Sequence, residues 1–489
     1  MLSETSRSVH FIGIGGVGMS GIAKVAYSQG LDVTGSDMKA SKYTQQLRDL
    51  GIPVTVGHSG SNLPEGNPTI VVSTAILDNN PELIEAKSRG LDIIHRAEML
   101  AMLGRSLKTL AVAGTHGKTT TSSMLAHVMD EIGEDPTFLI GGTVRKYGTN
   151  ARSGNGPWYV VEADESDKSF NHLSPYAAIV TNIEPDHLDH YDDLADIYAN
   201  FASFMGSVPE GNPLVVWHED AELVKLAAEV HGTDGIVTYG FGEDADVRIT
   251  ESSRRGISSD FTVSFPDGRT VESCIKQNPG IHNVLNGTAV LSLVYSLGLD
   301  VEAAAESLKE FSGVRRRFDL VGEERGITVV DDYAHHPTEI ASTIKAASDL
   351  GYGRVHVLFQ PHRYSRASLF TDVLHDEFSH AFDDADNVFF MDVFSAGEAP
   401  IPGINGRTFM GVVTDNPDHP PIRFIPRRID IPKIISEALE PGDLLITMGA
   451  GDVTELGTQI LRELEGIAEG ETDSAGASSD GPGKGATAS

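Results

Sequence analysis

One cysteine, Cys274, stands in 489 residues, so no disulfide can form within the chain. Packing and hydrogen bonds must hold the fold, and a chain so poor in cysteine suits a reducing compartment; a cytoplasmic location is expected. Basic residues are also scarce. Lys+Arg 37 against Asp+Glu 70 leave a formal net charge of −33. A surface that acidic repels nucleic acid and anionic membranes, so neither is an expected partner. A few cations gathered in one cleft can still hold a small anion. No apolar run reaches the roughly 18 residues that mark a membrane-spanning helix. Residues 1–8 are polar and the apolar stretch behind them is broken by glycines, which does not read as a secretory signal. The 40% hydrophobic and 22% charged content suits packed globular domains. The length suggests about three of them.

What is present is most informative at Thr109-Leu-Ala-Val-Ala-Gly-Thr-His-Gly-Lys-Thr-Thr-Thr121. Leu110 to Ala113 reads as a buried parallel strand, and Gly114 and Gly117 break it. Lys118 and Thr119 open a helix whose apolar face is Met124, Leu125, Val128, Met129 and Ile132, with Gly133 placed to end it. Strand, glycine turn, lysine, hydroxyl and helix make a phosphate cradle. Glycines let backbone N–H groups approach the oxygens, and the helix N-terminus adds positive potential. Lys118 can neutralise β- and γ-phosphates, and the Thr119 hydroxyl can hold Mg²⁺. The loop reads G-T-H-G-K-T, with Val112 where the longer G-x-x-x-x-G-K-T form has its first glycine.

Strand and helix patterns alternate along most of the chain, the mark of α/β domains with parallel sheets. The first unit opens with a strand at Val9–Ile14, runs through Gly13-x-Gly15-x-x-Gly18 into a helix reaching Gly30, and continues with a strand ending at Asp37. This Rossmann-type fingerprint is expected to hold a diphosphate-containing ligand of open identity. A second unit starts near Ser106, with strands ending at Val161 and Val180. Its residues 236–275 are expected to form a small antiparallel annex, followed by a helix from His282 to Leu297. A third unit begins around Phe318, with strands at Ile327–Val330, Val355–Phe359, Val388–Met391 and Leu444–Met448 and helices at Glu339–Leu350 and Ser368–Phe382. From about Gly466 to Ser489 too few apolar residues remain to offset ordering entropy, so a disordered tail is expected.

Polar clusters follow the strands, where open α/β sheets bind ligands. Glu162-Ala-Asp-Glu-Ser-Asp167 offers carboxylates for a hard cation, Glu162 first. Asn182-Ile-Glu-Pro-Asp-His-Leu-Asp-His190 offers His187, as a neutral imidazole, for a second Mg²⁺, or a set of helix caps. His282, Asn283 and Asn286 share one face of a starting helix, where amides suit adenine edges or cap the helix. Arg315-Arg-Arg317 is a basic linker or a phosphate contact. Asp331-Asp-Tyr-Ala-His-His-Pro337 and Gln360-Pro-His-Arg-Tyr-Ser-Arg366 project from one sheet edge, and Arg363 and Arg366 can each grip a carboxylate. Adjacent histidines suggest Zn²⁺, but neither H-E-x-x-H spacing nor a nearby cysteine supports it.

Taken in order, GIGGVGMSGIA around Gly15, GTHGKTTT, EADESD, NIEPDHLDHY, GIHNVLNGTA, RRRFD, DDYAHHPTE and QPHRYSR resemble the motifs of the Mur ligase family, over residues from about 9 to 452. The resemblance implies a three-domain α/β fold. Residues 1–105 would be a Rossmann-like UDP-substrate domain and 106–317 a central P-loop ATPase-like domain with its β annex. Residues 318–465 would be a Rossmann-like amino-acid domain that closes over the site, with 466–489 as tail. ATP is the implied co-substrate, held by Gly114, Thr115, His116, Gly117, Lys118, Thr119 and Thr120, by His282, Asn283 and Asn286, and by Arg317 and Asp332. Mg²⁺, or Mn²⁺ in its stead, would sit on Thr119, Glu162 and His187. Gly15, Gly16, Gly18, Met19, Ser20, Ser36 and Asp37 belong to the UDP side. Tyr333, His335, Arg363 and Arg366 look like the amino-acid pocket. Lys118, His187, His335 and Arg363 would carry catalysis, with His335 receiving the amine proton.

One absence sharpens the resemblance. Several siblings carry a carbamylated lysine after the His187 motif, whereas residues 187–212 hold no lysine. That matches the branch that adds L-alanine to the lactyl carboxylate of UDP-N-acetylmuramate through an acyl phosphate, in peptidoglycan precursor synthesis. The rival is a muropeptide-recycling ligase joining a tripeptide to the same nucleotide. A monomer or weak homodimer is expected.

Overall fold

The computed structural model describes residues 7–476 except 167, 186–190, 192, 277 and 278. Ser8–Ile12, buried along most of its length, becomes the middle strand of a five-stranded parallel sheet. The order is Val54–Val56, Asp32–Asp37, Ser8–Ile12, Thr69–Val72, Ile93–His95. The glycine turn after the middle strand leads into the helix Val17–Ser28, which buries Met19, Ile22, Ala23, Val25 and Ala26. The third glycine of the fingerprint is not its packing glycine. A Cβ on Gly18 would meet nothing within 4 Å, whereas one on Gly21 would lie 2.9 Å from Asn150 Nδ2. That amide donates to Val17 O at 3.0 Å and ties the helix to the strand Thr149–Arg152.

The apolar run Lys108–Ala113 lies inside a ten-stranded sheet. Its parallel part runs Val247–Arg255, Ile236–Gly240, Leu214–Trp217, Ala177–Val180, Lys108–Ala113, Trp158–Glu162, Thr137–Val144. Ser258–Ser264 and Thr270–Ile275 add antiparallel strands at one end and Thr149–Arg152 at the other. The expected annex over 236–275 therefore needs correcting. Ile236–Gly240 is a parallel strand, and the antiparallel strands continue the same sheet. Their buried residues Ile249, Phe261, Val263, Val271 and Ile275 join one core with the helix Ile281–Ser296. One apolar face leaves them no reason to form a sheet of their own.

The third sheet has six strands in the order Asp319–Glu324, Ile327–Asp332, Leu444–Met448, Val355–Phe359, Asn387–Phe390, Ile422–Phe424. The first pair is antiparallel and the rest parallel. The helix expected over Ser368–Phe382 is broken into a wide-turn segment, Leu369–Val373, and a short helix, His375–Ser379. The break sets Phe370 flat on Phe378, with ring centroids 4.6 Å apart. The last helix, Thr454–Gly476, runs past residue 466, where the tail was expected to begin. Leu456, Ile460 and Leu464 anchor it in the core, and each further residue then adds a backbone bond at little cost.

Three sheets give three α/β domains. The first two share a continuous core containing Ile22, Met99, Leu139 and Tyr159, and compact packing divides the chain between Arg315 and Arg316. Among the described residues no helix is long and apolar enough to cross a membrane.

Candidate active site

The turn after Lys108–Ala113 is laced to the end of its neighbour, Ala177–Val180. Thr181 Oγ1 donates to His116 O at 2.6 Å, and His116 N–H donates to Asn182 Oδ1 at 2.8 Å. Thr115 Oγ1 accepts from Glu184 N–H at 2.8 Å. Gly114 and Gly117 hold φ of +133° and +83°, values that suit glycine. Lys118 starts the helix Lys118–Glu131 and folds back over the turn. Its Nζ donates to Gly114 O at 2.6 Å, Thr115 O at 2.9 Å and Glu165 Oε1 at 2.7 Å. Burial opposes its charge, but Glu165, Glu162 and Asp164 outweigh that and raise its pKa, so the ammonium stays protonated. Burial likewise lifts the Glu165 carboxyl to about 7, against the pull of Lys118.

The acidic segment after Trp158–Glu162 divides its work. Glu162 Oε1 accepts from Thr119 Oγ1 at 2.9 Å and its Oε2 from Gly141 N–H at 2.7 Å. Asp164 pairs with Arg96 at 2.9 Å; burial works against its ionisation, but the guanidinium prevails and holds its pKa at about 2. Glu165 serves Lys118. Thr119 and Glu162, the two expected metal ligands within the described residues, thus meet, while His187 lies outside them. Two uncharged or anionic oxygen donors side by side suit a hard divalent cation such as Mg²⁺. Sequence reasoning missed Glu165 and Asn182, because a carboxylate cluster does not announce which member turns toward which cation.

His282, Asn283 and Asn286 do form one chain. Asn283 Nδ2 meets His282 Nε2 at 2.9 Å, and Asn286 Nδ2 donates to Asn283 Oδ1 at 3.2 Å. Asn286 also faces the phosphate turn, its Oδ1 2.9 Å from where a Cβ on Gly117 would stand. Thr120, expected at the turn, is buried in the helix.

At the first sheet, Gly15 N–H donates to Asp37 Oδ2 at 2.8 Å, so fingerprint and acid meet as expected. Gly16 precedes the helix as its N-cap. Met19 and Ser20, in contrast, are buried, and Ser20 Oγ bonds Val17 O; their side chains are packing. Ser36 is fully buried too, its hydroxyl donating to Glu82 Oε2 at 2.6 Å. Glu82, missed by the sequence reading, is a carboxylate with no exposure. It accepts from Asn62 Nδ2 at 2.7 Å and Ser59 N–H at 3.2 Å, with His10 Nε2 at 3.1 Å and His58 Nδ1 at 3.2 Å. Burial opposes its charge, but His10, Ser36 and Asn62 pull its pKa down to about 2.

In the C-terminal unit the loops after Ile327–Asp332 and Val355–Phe359 meet, with the His335 and His362 rings 6.1 Å apart. Arg316 and Arg317 lie over the Tyr333 ring, at 4.9 and 5.4 Å. Glu339 gathers two expected site residues: His335 N–H donates to its Oε2 at 3.2 Å, and Arg317 Nη1 stands 3.6 Å from its Oε1. Asp332 is buried and accepts N–H bonds from Phe318 and Ala334, at 2.7 and 2.8 Å. Burial nonetheless raises its pKa to about 6. Burial first, then Arg366 and Arg363, lowers His362 to about 4, so that ring is neutral near pH 7. Arg363 holds a left-handed backbone, φ +67°, fixed by its N–H on Phe394 O at 2.8 Å.

The Mur ligase family, catalytic domain, matches residues 8–107; the Mur ligase middle domain matches 112–294; and the Mur ligase, glutamate ligase domain, matches 316–451. The chain belongs to the Mur ligase family. Among Mur ligases, it is 42% identical to the UDP-N-acetylmuramate–L-alanine ligase of Rhizobium johnstonii over 95% of this chain and 98% of that one. The enzyme of the same name from Ruegeria pomeroyi is 41% identical over 95% and 99%. The crystal structure of the UDP-N-acetylmuramate–alanine ligase of Thermotoga maritima matches at TM-score 0.78 and 31% identity, covering 94% of this chain and 99% of that one. A murein peptide ligase from Psychrobacter arcticus matches at TM-score 0.69 and 26% identity, over 94% and 98%.

Proposed function

We propose that this chain is an ATP-dependent ligase joining L-alanine to the lactyl carboxylate of UDP-N-acetylmuramate, a step in making peptidoglycan precursors. The observation that carries the reading is 42% identity over 95% of the chain to a ligase of that name. The phosphate turn around Lys118 supports the chemistry.

A carboxylate lacks an adequate leaving group, so it must be activated before an amine can displace anything from it. The lactyl oxygen attacks the γ-phosphorus, the bond from that phosphorus to the bridging oxygen breaks, and ADP departs with the electron pair. The alanine amine then attacks the acyl carbon, the carbon–oxygen bond to phosphate breaks, and inorganic phosphate leaves as the nitrogen gives up a proton. Lys118, held charged by its acidic neighbours, offsets charge building on the phosphoryl oxygens and the repulsion between two anions. Thr119 and Glu162, with His187, would hold Mg²⁺, which when bound supplies positive charge to the phosphates. Asn286 stands at the turn from the helix side, and His282 and Asn283, joined to it in one chain, would serve the adenine. Gly15, Gly18 and Asp37 take the UDP end. In the C-terminal unit, Arg317 would serve a nucleotide phosphate and Asp332 the ribose, through carboxylate lone pairs that its backbone partners leave over. Arg363 and Arg366 would grip the alanine carboxylate and orient its amine. Tyr333 and His335 complete that pocket, with His335 as proton acceptor.

The reading takes residues 1–105, 106–317 and 318–465 as the UDP, ATP and amino-acid domains, and the protein as a cytoplasmic monomer or weak homodimer. Phosphate release from ATP, measured with UDP-N-acetylmuramate across a panel of amino acids, tests it; alanine should be preferred and Lys118→Met should abolish release. Release without an amide product would defeat it. The likeness to a murein peptide ligase keeps a second reading, tested by offering a tripeptide in place of alanine.

A further inference from the structure

We propose that Glu165 is a positioning residue that holds Lys118 on its own loop and competes with nucleotide phosphates for it. The inference rests on reading the Gly114–Thr120 turn as the ATP-phosphate site. A lysine ammonium has three N–H donors. Here all three are engaged: by Gly114 O at 2.6 Å, Thr115 O at 2.9 Å and Glu165 Oε1 at 2.7 Å. A phosphate oxygen can bond Nζ only by replacing one of them. Two are backbone carbonyls of the turn itself, fixed by the lacing to Thr181, Asn182 and Glu184. Glu165 is the replaceable partner, since exchanging a carboxylate for a phosphate leaves the buried cation neutralised.

The other described acids of the segment are committed elsewhere. Glu162 takes the Thr119 hydroxyl and Gly141 N–H, and Asp164 takes Arg96 and Ser166 N–H. The Glu165 backbone is itself fixed. Its carbonyl accepts from the Tyr191 hydroxyl at 2.5 Å and from Lys168 N–H at 2.9 Å. Its side chain and that of Lys118 are only 4% and 13% exposed, so water screens the pair weakly. Such a contact orients the lysine before substrate arrives and weakens nucleotide binding by the strength of the pair. That differs from the role of Glu162, whose loss should remove binding strength rather than add it.

The test is calorimetric titration of the full-length protein with a non-hydrolysable ATP analogue and Mg²⁺. Glu165→Gln should bind about three- to tenfold more tightly than wild type, a factor in the lower part of the range that couplings between contacting residues span. Glu165→Asp, which keeps the charge but withdraws it by one methylene, should fall between them, and it carries the test if Glu165→Gln does not fold. Equal or weaker binding by the folded variants overturns the proposal and makes Glu165 a structural partner only. Two controls separate that failure from failure of the ATP reading: wild type must bind the analogue, and Lys118→Met must bind it less well. If wild type does not bind, the ATP reading falls and this inference falls with it.

Discussion

Asn286 and Gly117 fit each other: the Asn286 side-chain oxygen lies 2.9 Å from where a Cβ on Gly117 would stand, and Gly117 holds φ +83°. An alanine there meets both problems. Left-handed backbone costs a residue with a Cβ about 1–2 kcal/mol, and the amide must move. Gly117→Ala should therefore lower phosphate release by about 10²-fold, the cost of a shift near 1 Å in a phosphate cradle. Its melting midpoint should fall by only a few degrees. Steady-state kinetics beside a thermal melt checks this, and a normal rate would mean the turn tolerates a side chain.

The pairing of Thr119 with Glu162 predicts how metal dependence responds to mutation. Glu162→Gln should cut turnover by about 10²–10³-fold, as losing one electrostatic contact to a developing charge commonly does. It should also raise the Mg²⁺ concentration needed for half-maximal rate. Thr119→Ser keeps a hydroxyl and should stay active, while Thr119→Val should behave like Glu162→Gln. Titrating Mg²⁺ against phosphate release reads all three. An unchanged Mg²⁺ requirement would remove these residues from the metal site.

Glu82 carries the pH prediction. Its folded pKa, about 2, lies below its ordinary 4.5, so it contributes stability that is complete above pH 4.5 and is lost as pH falls toward 2. The shift corresponds to on the order of 3 kcal/mol. Wild type should lose stability over that window more steeply than Glu82→Gln, which should already be weaker at pH 7 and flatter below 4.5. Denaturant unfolding at a series of pH values decides it. Parallel profiles for the two proteins would assign the acid sensitivity to other groups.

Two glycines of one helix should respond oppositely. Gly21→Ala pushes a Cβ to 2.9 Å from Asn150 Nδ2 and 3.3 Å from the Ala151 Cβ, and overpacking of this kind costs about 1–3 kcal/mol. Gly18→Ala meets no atom within 4 Å and should leave the melting midpoint in place or raise it. Because Gly18 is proposed to take the UDP end, Gly18→Ala should raise KM for UDP-N-acetylmuramate while Gly21→Ala should not. Melting and substrate titration of both variants checks the contrast.

Much of this is legible in the sequence itself. Leu110–Ala113, two glycines and Lys118 declare a strand, a turn and a helix within one window, because each of those choices is local. The meeting of Gly15 with Asp37 follows from the fingerprint alone. What stayed hidden depends on distant partners. Lys118 with Glu165 and Ser36 with Glu82 are separated by 47 and 46 residues, and nothing in their neighbourhoods names the other member. Glu339 enters the sequence reading only as the first residue of a helix, yet it joins Arg317 to His335. Met19 and Ser20 follow the fingerprint and are expected on the UDP side; the helical twist turns them inward instead. Ile236–Gly240 carries turn residues on both sides and looked like hairpin material, although its pairing is parallel.

The hairpins from Val247 to Ile275 do for the large sheet what no parallel strand can do for itself. A strand such as Ile236–Gly240, left outermost, would present a bare row of backbone donors and acceptors to any passing chain. Here the row is capped by successive strands, and the outermost, Thr270–Ile275, is tied under the helix Val301–Leu308 by Ser273 Oγ on Ala305 O at 2.7 Å. A fragment ending before Val247 would keep the phosphate turn but expose that border, and it should precipitate rather than work as a miniature nucleotide-binding module.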